Sequence, residues 1–396
     1  MAKMTVRDVD VAEKRILVRV DFNVPLDPKT DVITDDSRIK ATLPTIKYLT
    51  ERGARVILIS HLGRPNGKFV NELRLTGVAQ RLSQILGQQV GVATDCIGPE
   101  VEKSVATLKS GDVLLLENLR FHPDEETGSL SFAKALSRLG DLFVNDAFGT
   151  SHRAHASISG IANYLPAVAG LLLEKEIAFL GHALENPSRP FTALIGGAKI
   201  SDKVKMLERL VSKVDYLLIG GGMAATFLKA QSCEIGRSIF EADLLEIATG
   251  LLKKVTENGI NLFLPIDVAV ADSLQAVDAQ TVSVKNIPAN KMIVDIGAQT
   301  VSEFTEILKK SQTVFWNGPM GVYEYSQFAI GTQAMANLLA GLQATTIIGG
   351  GSTAEVVTEM GLADKMTFVS TGGGASMSFV SGEKLPGVEV LLDKKT

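Results

Sequence analysis

Short apolar runs, each closing on a cluster of charge or of glycine, recur along the whole chain and are separated by amphipathic stretches of helical length. Apolar runs of three to six residues without polar alternation, spaced by helices, are what a parallel sheet buried on both faces requires. The pattern therefore predicts an α/β protein. Residues 16–20, 55–60, 113–116 and 142–144 read as strands of a first half, with a helix over about 39–52. Residues 191–195, 216–219, 262–264, 292–294, 313–316, 346–348 and 367–369 read as strands of a second. A chain of 396 residues is long enough for two such domains. The stretch 171–184 lies between Pro166 and Pro190 and reads as one helix. The expected division is 1–170, a hinge helix over 171–186, and 187–380, with the tail 381–396 packing back on the first domain.

In open α/β sheets, ligands sit beyond the carboxyl ends of the strands. In the first half those ends, or segments close to them, carry Asp21, Phe22 and Asn23, then His61, Leu62, Gly63 and Arg64, then Arg120, and later Arg153. Arg38 stands at the head of the helix between the first two strands. The chain as a whole carries a net charge of −4, so no global basic field argues for nucleic acid. Arginines and a histidine gathered at one edge of an acidic protein call for a counter-anion. The arginine fork suits a small substrate bearing carboxylate and phosphate.

The second half deposits glycine instead. Gly196-Gly197 follows the first strand, with Lys199 and Lys203 at the next helix start. Gly220, Gly221 and Gly222 follow the second strand, and Asn317, Gly318 and Pro319 a later one, with Glu324 close behind. Gly349, Gly350 and Gly351 precede Ser352 and Thr353, and a last cluster is Gly372, Gly373 and Gly374. Such turns offer backbone N–H groups to phosphate and a flat wall to a base, so a nucleotide is expected here. Gly220-x-Gly222-x-x-Ala225 and Gly349-x-Gly351-x-x-Ala354 also match the dinucleotide fingerprint, which keeps a nicotinamide enzyme as a rival. A G-x-x-x-x-G-K-[ST] loop and an HRD motif are both absent from the sequence.

Cationic acid pocket and nucleotide edge together suggest phosphoryl transfer, which needs positioning and charge neutralisation more than a covalent group. Two distant cysteines, Cys96 and Cys233, suggest free thiols in a reducing compartment. The charged N-terminal stretch does not read as a secretory signal, and no apolar run reaches the ~18 residues of a membrane helix. A soluble, cytoplasmic protein is expected. His122 reads as a spacer beside Arg120, and His182 has no evident partner.

Several segments carry a family resemblance: RVDFNVPL (19–26), SHLGRP (60–65), LLLENLRF (114–121), VNDAFGTSHRAHAS (144–157), GGAKISDK (196–203), FWNGPMGVYE (315–324) and STGGGAS (370–376). With these the chain resembles phosphoglycerate kinases along essentially its whole length. The resemblance implies two Rossmann-like three-layer α/β domains with parallel sheets, joined by a hinge helix that lets them close. It implies a monomer that transfers a phosphoryl group between MgATP and 3-phosphoglycerate, giving ADP and 1,3-bisphosphoglycerate in glycolysis and gluconeogenesis. Asp21, Phe22, Asn23, Arg38, His61, Leu62, Gly63, Arg64, Arg120 and Arg153 would then hold the acid. Lys199, Lys203, Gly220, Gly221, Asn317, Pro319, Glu324, Gly350, Gly351, Ser352 and Thr353 would hold the nucleotide. Arg38, Lys199, Gly373 and Gly374 would flank the moving phosphoryl group. The acceptor is a carboxylate already ionised at neutral pH, so no general base is needed. One position departs from the family: Ser352 stands where an aspartate associated with the nucleotide's Mg²⁺ is usual, which leaves the metal ligand open.

Overall fold

The computed structural model describes residues 2–394. The chain divides into two compact units, one running to Ile177 and resuming at Lys384, the other spanning Ala178–Glu383. The division falls inside the helix Leu171–Glu185. Within the first unit, the C-terminal residues lie on its N-terminal ones: the Met4 amide donates to the Leu392 carbonyl at 2.7 Å and the Leu392 amide to Ala167 at 2.9 Å.

The first unit holds β1 (Arg15–Arg19), β2 (Arg55–Ile59), β3 (Val90–Val92), β4 (Val113–Leu115), β5 (Leu142–Asn145) and β6 (Ala167–Ala169). They form one sheet in the order β3-β4-β2-β1-β5-β6, parallel throughout. Four consecutive residues in each of β1, β2 and β5 are buried, so both faces of the sheet are covered. Each fully buried Ile or Leu there contributes about 1.5–3 kcal/mol. Register then does the functional work. Arg19 lies opposite both Ile59 and Asn145, and Leu58 opposite Leu115. The segments that follow β1, β2, β4 and β5 consequently leave the sheet along one edge.

The second unit contains β7 (Phe191–Ile195), β8 (Tyr216–Ile219), β9 (Asn261–Phe263), β10 (Asp267–Ala271), β11 (Gln280–Ser283), β12 (Met292–Ile296), β13 (Thr313–Asn317), β14 (Thr345–Gly349) and β15 (Phe368–Val369). Its main sheet is parallel, β15-β14-β13-β7-β8-β9; counted from β7 this is the doubly wound order 3-2-1-4-5-6 read from the other side. The order reverses between β7 and β13, and Ile195 lies opposite Asn317 at the ends of those two strands. A separate antiparallel sheet, β11-β10-β12, was not distinguished in the sequence, which offered 292–294 as one more parallel strand. Its strand β11 is largely exposed and carries no apolar run, so it leaves little trace.

Candidate functional site

In the first unit the edge begins with an arginine inside a strand. Arg19 is fully buried; its Nε donates to Ser157 Oγ at 2.8 Å, and Nη2 lies 3.2 Å from His61 Nδ1. A guanidinium only donates, so Nδ1 accepts and the imidazole carries its proton on Nε2. Ser157 in turn donates its hydroxyl (2.5 Å) and its amide (2.9 Å) to the buried Glu125 carboxylate. Burial pushes Glu125 above the ordinary carboxyl range, opposed by Arg19 and the Ser157 hydrogen bonds.

This buried chain holds the groups that face outward. Asp21 Oδ2 accepts from Arg38 Nη1 at 2.5 Å, and its other oxygen lies 3.9 Å from His61 Nδ1. Arg120 Nη1 donates to the Gly63 carbonyl at 2.8 Å, and the Gly63 amide donates to Asn23 Oδ1 at 2.8 Å. Leu62 is fixed from both sides by the Asn118 amide group, at 3.2 and 2.8 Å. Phe22 is buried, its amide on Ser60 Oγ at 2.9 Å. His61 is pushed well below the usual imidazole range by burial and by Arg19, Arg120 and Arg38. His155 is lowered to about 4 by burial and by Arg120, Arg153 and Arg19. Burial first, and then the neighbouring guanidiniums, hold both histidines toward the neutral form, and the guanidiniums give this edge a positive field.

Asp21, Arg38, His61, Arg120 and Arg153 are thus brought together, and Asn23 joins them through Gly63. Arg64 is exposed and, like Arg153, has no ion-pair partner among the described residues. His122 turns away from this edge, with Nε2 2.7 Å from Asp95 Oδ1. Arg19, Ser157 and Glu125 were not singled out in the sequence. The available signal was a charged residue inside the run ILVRV, where only a buried, paired arginine fits.

In the second unit the glycine turns behave differently from the expectation. The amides of Gly196 and Gly197 donate to Asn317 O (3.0 Å) and Pro319 O (2.8 Å). Those of Gly220 and Gly221 donate to Ile195 O (2.9 Å) and Met320 O (2.9 Å). Their N–H groups are already used, so these turns wall the edge and do not offer donors to phosphate. At Gly221, φ is +67° and a Cβ would come 2.6 Å from the Gly197 nitrogen, so the close approach of the turns to each other requires glycine.

The open amides lie elsewhere. Gly351, Ser352 and Thr353 form the first turn of the helix Gly351–Glu359, whose leading N–H groups have no intrahelical acceptor. Gly350, at φ +88°, leads into it, and Thr353 Oγ1 accepts from the Gly318 amide at 2.6 Å. Gly373 and Gly374 head the helix Gly374–Val380 in the same way, whereas the Gly372 amide already donates to Ser370 Oγ at 3.1 Å. Ser352 is exposed, and the Tyr323 hydroxyl donates to Glu355, one helical turn on, at 2.9 Å. Glu324 is exposed on the neighbouring loop.

Two lysines complete this edge. Lys199 is exposed; no ion pair within 4 Å is seen for it among the described residues, and its charge reaches Glu241, whose carboxyl it helps to lower. Lys203 is buried between the turns after β7 and β13: Nζ donates to the Asn317 carbonyl at 3.0 Å and also to Asn317 Oδ1. Burial lowers its pKa from 10.5 to about 8, with Asp202 opposing weakly. An anion arriving here restores the charged form, so its binding near pH 9 takes up a proton. The heat of ATP binding at pH 9, measured in buffers of different ionisation enthalpy, is expected to report an uptake approaching one proton. At pH 7, where Lys203 is already charged, that uptake vanishes; buffer-independent heats at pH 9 would contradict this.

The rival fingerprint loses its place in this topology. A dinucleotide fold carries it at the first strand's turn, and here that turn is Gly196-Gly197-Ala198-Lys199. The two matching stretches follow the second and fifth strands of the sheet. One edge suited to a small anion and one with lysines and helix-head amides are the two surfaces that phosphoryl transfer between an acid and a nucleotide would need.

Comparison with known proteins agrees. The family model described as phosphoglycerate kinase matches residues 6–383. The chain is 52% identical to the phosphoglycerate kinase of Moorella thermoacetica over 396 residues, covering both chains fully, and 52% identical to that of Pelotomaculum thermopropionicum over 395. Its structure resembles that of phosphoglycerate kinase from Coxiella burnetii (TM-score 0.88, 40% identity, 98% of each chain). It also resembles the enzyme from Pyrococcus horikoshii (TM-score 0.82, 33% identity, 99% of this chain and 98% of that one). The chain belongs to the phosphoglycerate kinase family.

Proposed function

We propose that this protein transfers a phosphoryl group reversibly between MgATP and the carboxylate of 3-phosphoglycerate, as its family membership implies. The observation that best supports the site assignment is the cationic edge of the first unit, where Arg38 and Arg120 are paired with Asp21 and Glu126 while Arg64 and Arg153 have no ion-pair partner among the described residues. Asp21, Asn23, Arg38, His61, Arg64, Arg120 and Arg153 hold the acid there, with the Phe22 and Leu62–Gly63 backbone shaping the floor. The nucleotide lies on the second unit, its phosphates on Lys199, Lys203 and the helix head at Gly351–Thr353. Gly220, Gly221, Asn317 and Pro319 form the wall and Glu324 the rim. Arg38, Lys199 and the amides at Gly373–Gly374 neutralise the moving group.

Mg²⁺ arrives with the nucleotide as part of the substrate. With Ser352 at the usual aspartate position, it is held mainly by nucleotide oxygens and water, as Mg²⁺ prefers. Donor and acceptor must come into line with water excluded, so the reaction involves closure about the helix Leu171–Glu185. The protein works as a cytoplasmic monomer in glycolysis and gluconeogenesis, with no nucleic-acid or membrane partner; among the described residues no helix is long and apolar enough to cross a membrane. A coupled assay for ADP formation tests the reading: turnover that requires 3-phosphoglycerate, ATP and Mg²⁺ together supports it. Binding of both ligands without turnover would make the protein a metabolite-binding relative that has lost catalysis.

A further inference from the structure

Outside the ligand edges, the loop after β3 and the segment after β4 bring three unlike donors together. Asp95 and Cys96 lie on the first, between β3 and the helix Pro99–Ala106, and His122 lies on the second. β3 and β4 are paired neighbours, so the two segments leave the sheet side by side. One ligand atom from each of Asp95, Cys96 and His122 lies within 4.8 Å of the other two. We propose that these residues form a binding site for a thiophilic divalent ion of the zinc class, distinct from the Mg²⁺ of the nucleotide.

The donor set argues for that class of ion. Thiolate, imidazole and carboxylate together suit Zn²⁺ in tetrahedral geometry, with water in the fourth position, whereas Mg²⁺ prefers oxygen throughout. The groups are also held in advance. His122 Nε2 sits 2.7 Å from Asp95 Oδ1, the Cys96 amide donates to that same oxygen at 2.6 Å, and the His122 ring packs on Phe132 with centroids 5.2 Å apart. The Cys96 thiol closes the site on the protein side, being fully buried, while the His122 and Asp95 side chains are 28% and 50% exposed and leave a way in. Burial, the neighbouring Asp95 and the Glu125 carboxylate push the thiol's pKa up. A bound cation reverses that bias: the S–H bond breaks, its electron pair becomes the metal–sulfur bond, and the proton passes to solvent. Affinity therefore climbs with pH.

The test titrates chelator-treated full-length protein with Cd²⁺ and Zn²⁺, reading the thiolate-to-cadmium charge-transfer absorbance and the melting temperature. One equivalent of Cd²⁺ is expected to bring up the band, and Zn²⁺ to displace it and raise the melting temperature. Excess Mg²⁺ leaves the band intact. Cys96→Ser abolishes the band; because that thiol is buried, His122→Gln on the half-exposed side serves as the independent variant. His122→Gln keeps thiolate absorbance but weakens binding by more than ~10-fold, the least that loss of even an outer partner causes. A wild type with no stoichiometric band, or His122→Gln and Cys96→Ser variants that bind as tightly as wild type, would overturn the proposal.

Discussion

Replacing Arg38 with alanine is expected to lower kcat by about 10²–10³-fold or more, with a much smaller change in KM. The side chain heads the helix Ser37–Thr50, and one guanidinium nitrogen is spent on Asp21 at 2.5 Å. That pairing leaves the remaining donors of the fork available, in the proposed role, for charge that appears as the phosphoryl group moves. Arg38→Lys is expected to recover only part of the rate, because a point charge cannot hold Asp21 and the phosphoryl group at once. Arg64 is exposed and has no ion-pair partner among the described residues; with the proposed ground-state contact to the acid, Arg64→Ala is expected mostly to raise KM. Steady-state kinetics of the three variants check this. A reversed pattern, with kcat falling in Arg64→Ala and KM rising in Arg38→Ala, would show the roles to be exchanged.

Arg19→Met is expected to be the most destabilising single change at the first edge, by about 3–5 kcal/mol. It strips the nearest cation from a buried network and leaves Glu125, itself fully buried, with the Ser157 hydrogen bonds, His155 Nδ1 at 3.8 Å and the weaker field of Arg120. The sign of the pH dependence follows from Glu125, whose pKa already lies above its ordinary value and rises further once Arg19 is gone. A carboxyl raised on folding is favoured at low pH, so the variant loses additional stability as pH climbs through the raised value. Adding Glu125→Gln to Arg19→Met removes the stranded charge and recovers much of the loss. Urea unfolding of both variants at several pH values measures it. Equal stability of the single and double variants would mean that the Arg19–Ser157–Glu125 chain is not a unit. Arg19 acts here by positioning His61, so His61 should also titrate higher in Arg19→Met, visible by NMR.

The sequence disclosed the outward-facing part of this site and hid its support. Strand ends are legible because apolar runs stop abruptly at Asp21, His61, Arg120 and Gly196, and parallel pairing then fixes that such ends share an edge. What the sequence could not convey is which polar groups are already spent. Gly196, Gly197, Gly220 and Gly221 look like phosphate-binding turns, but their amides are spent on the carbonyls of Asn317, Pro319, Ile195 and Met320. The turns at Gly351 and Gly374 differ from these in heading helices, whose leading amides have no intrahelical acceptor. Asp146 follows β5 as Asp21 follows β1, yet it is fully buried and accepts from the Leu172 and Leu173 amides at 2.9 and 3.2 Å, capping the helix Leu171–Glu185. His122 has the same neighbour, Arg120, in sequence and a different one, Asp95, in space. Such distinctions depend on where a side chain points after the chain turns, which periodicity does not encode.

Acid and nucleotide are proposed to occupy separate edges, each built from one unit's residues. Isothermal titration of 3-phosphoglycerate and of MgATP, each alone, against wild type, Arg153→Ala and Lys203→Met tests it most directly. Arg153→Ala is expected to lose at least ~10-fold in affinity for the acid, about the 1.4 kcal/mol of one charge-assisted contact, and to keep its affinity for the nucleotide, with Lys203→Met showing the opposite. Loss of both ligands together in either variant, or unchanged acid binding in Arg153→Ala, would contradict it.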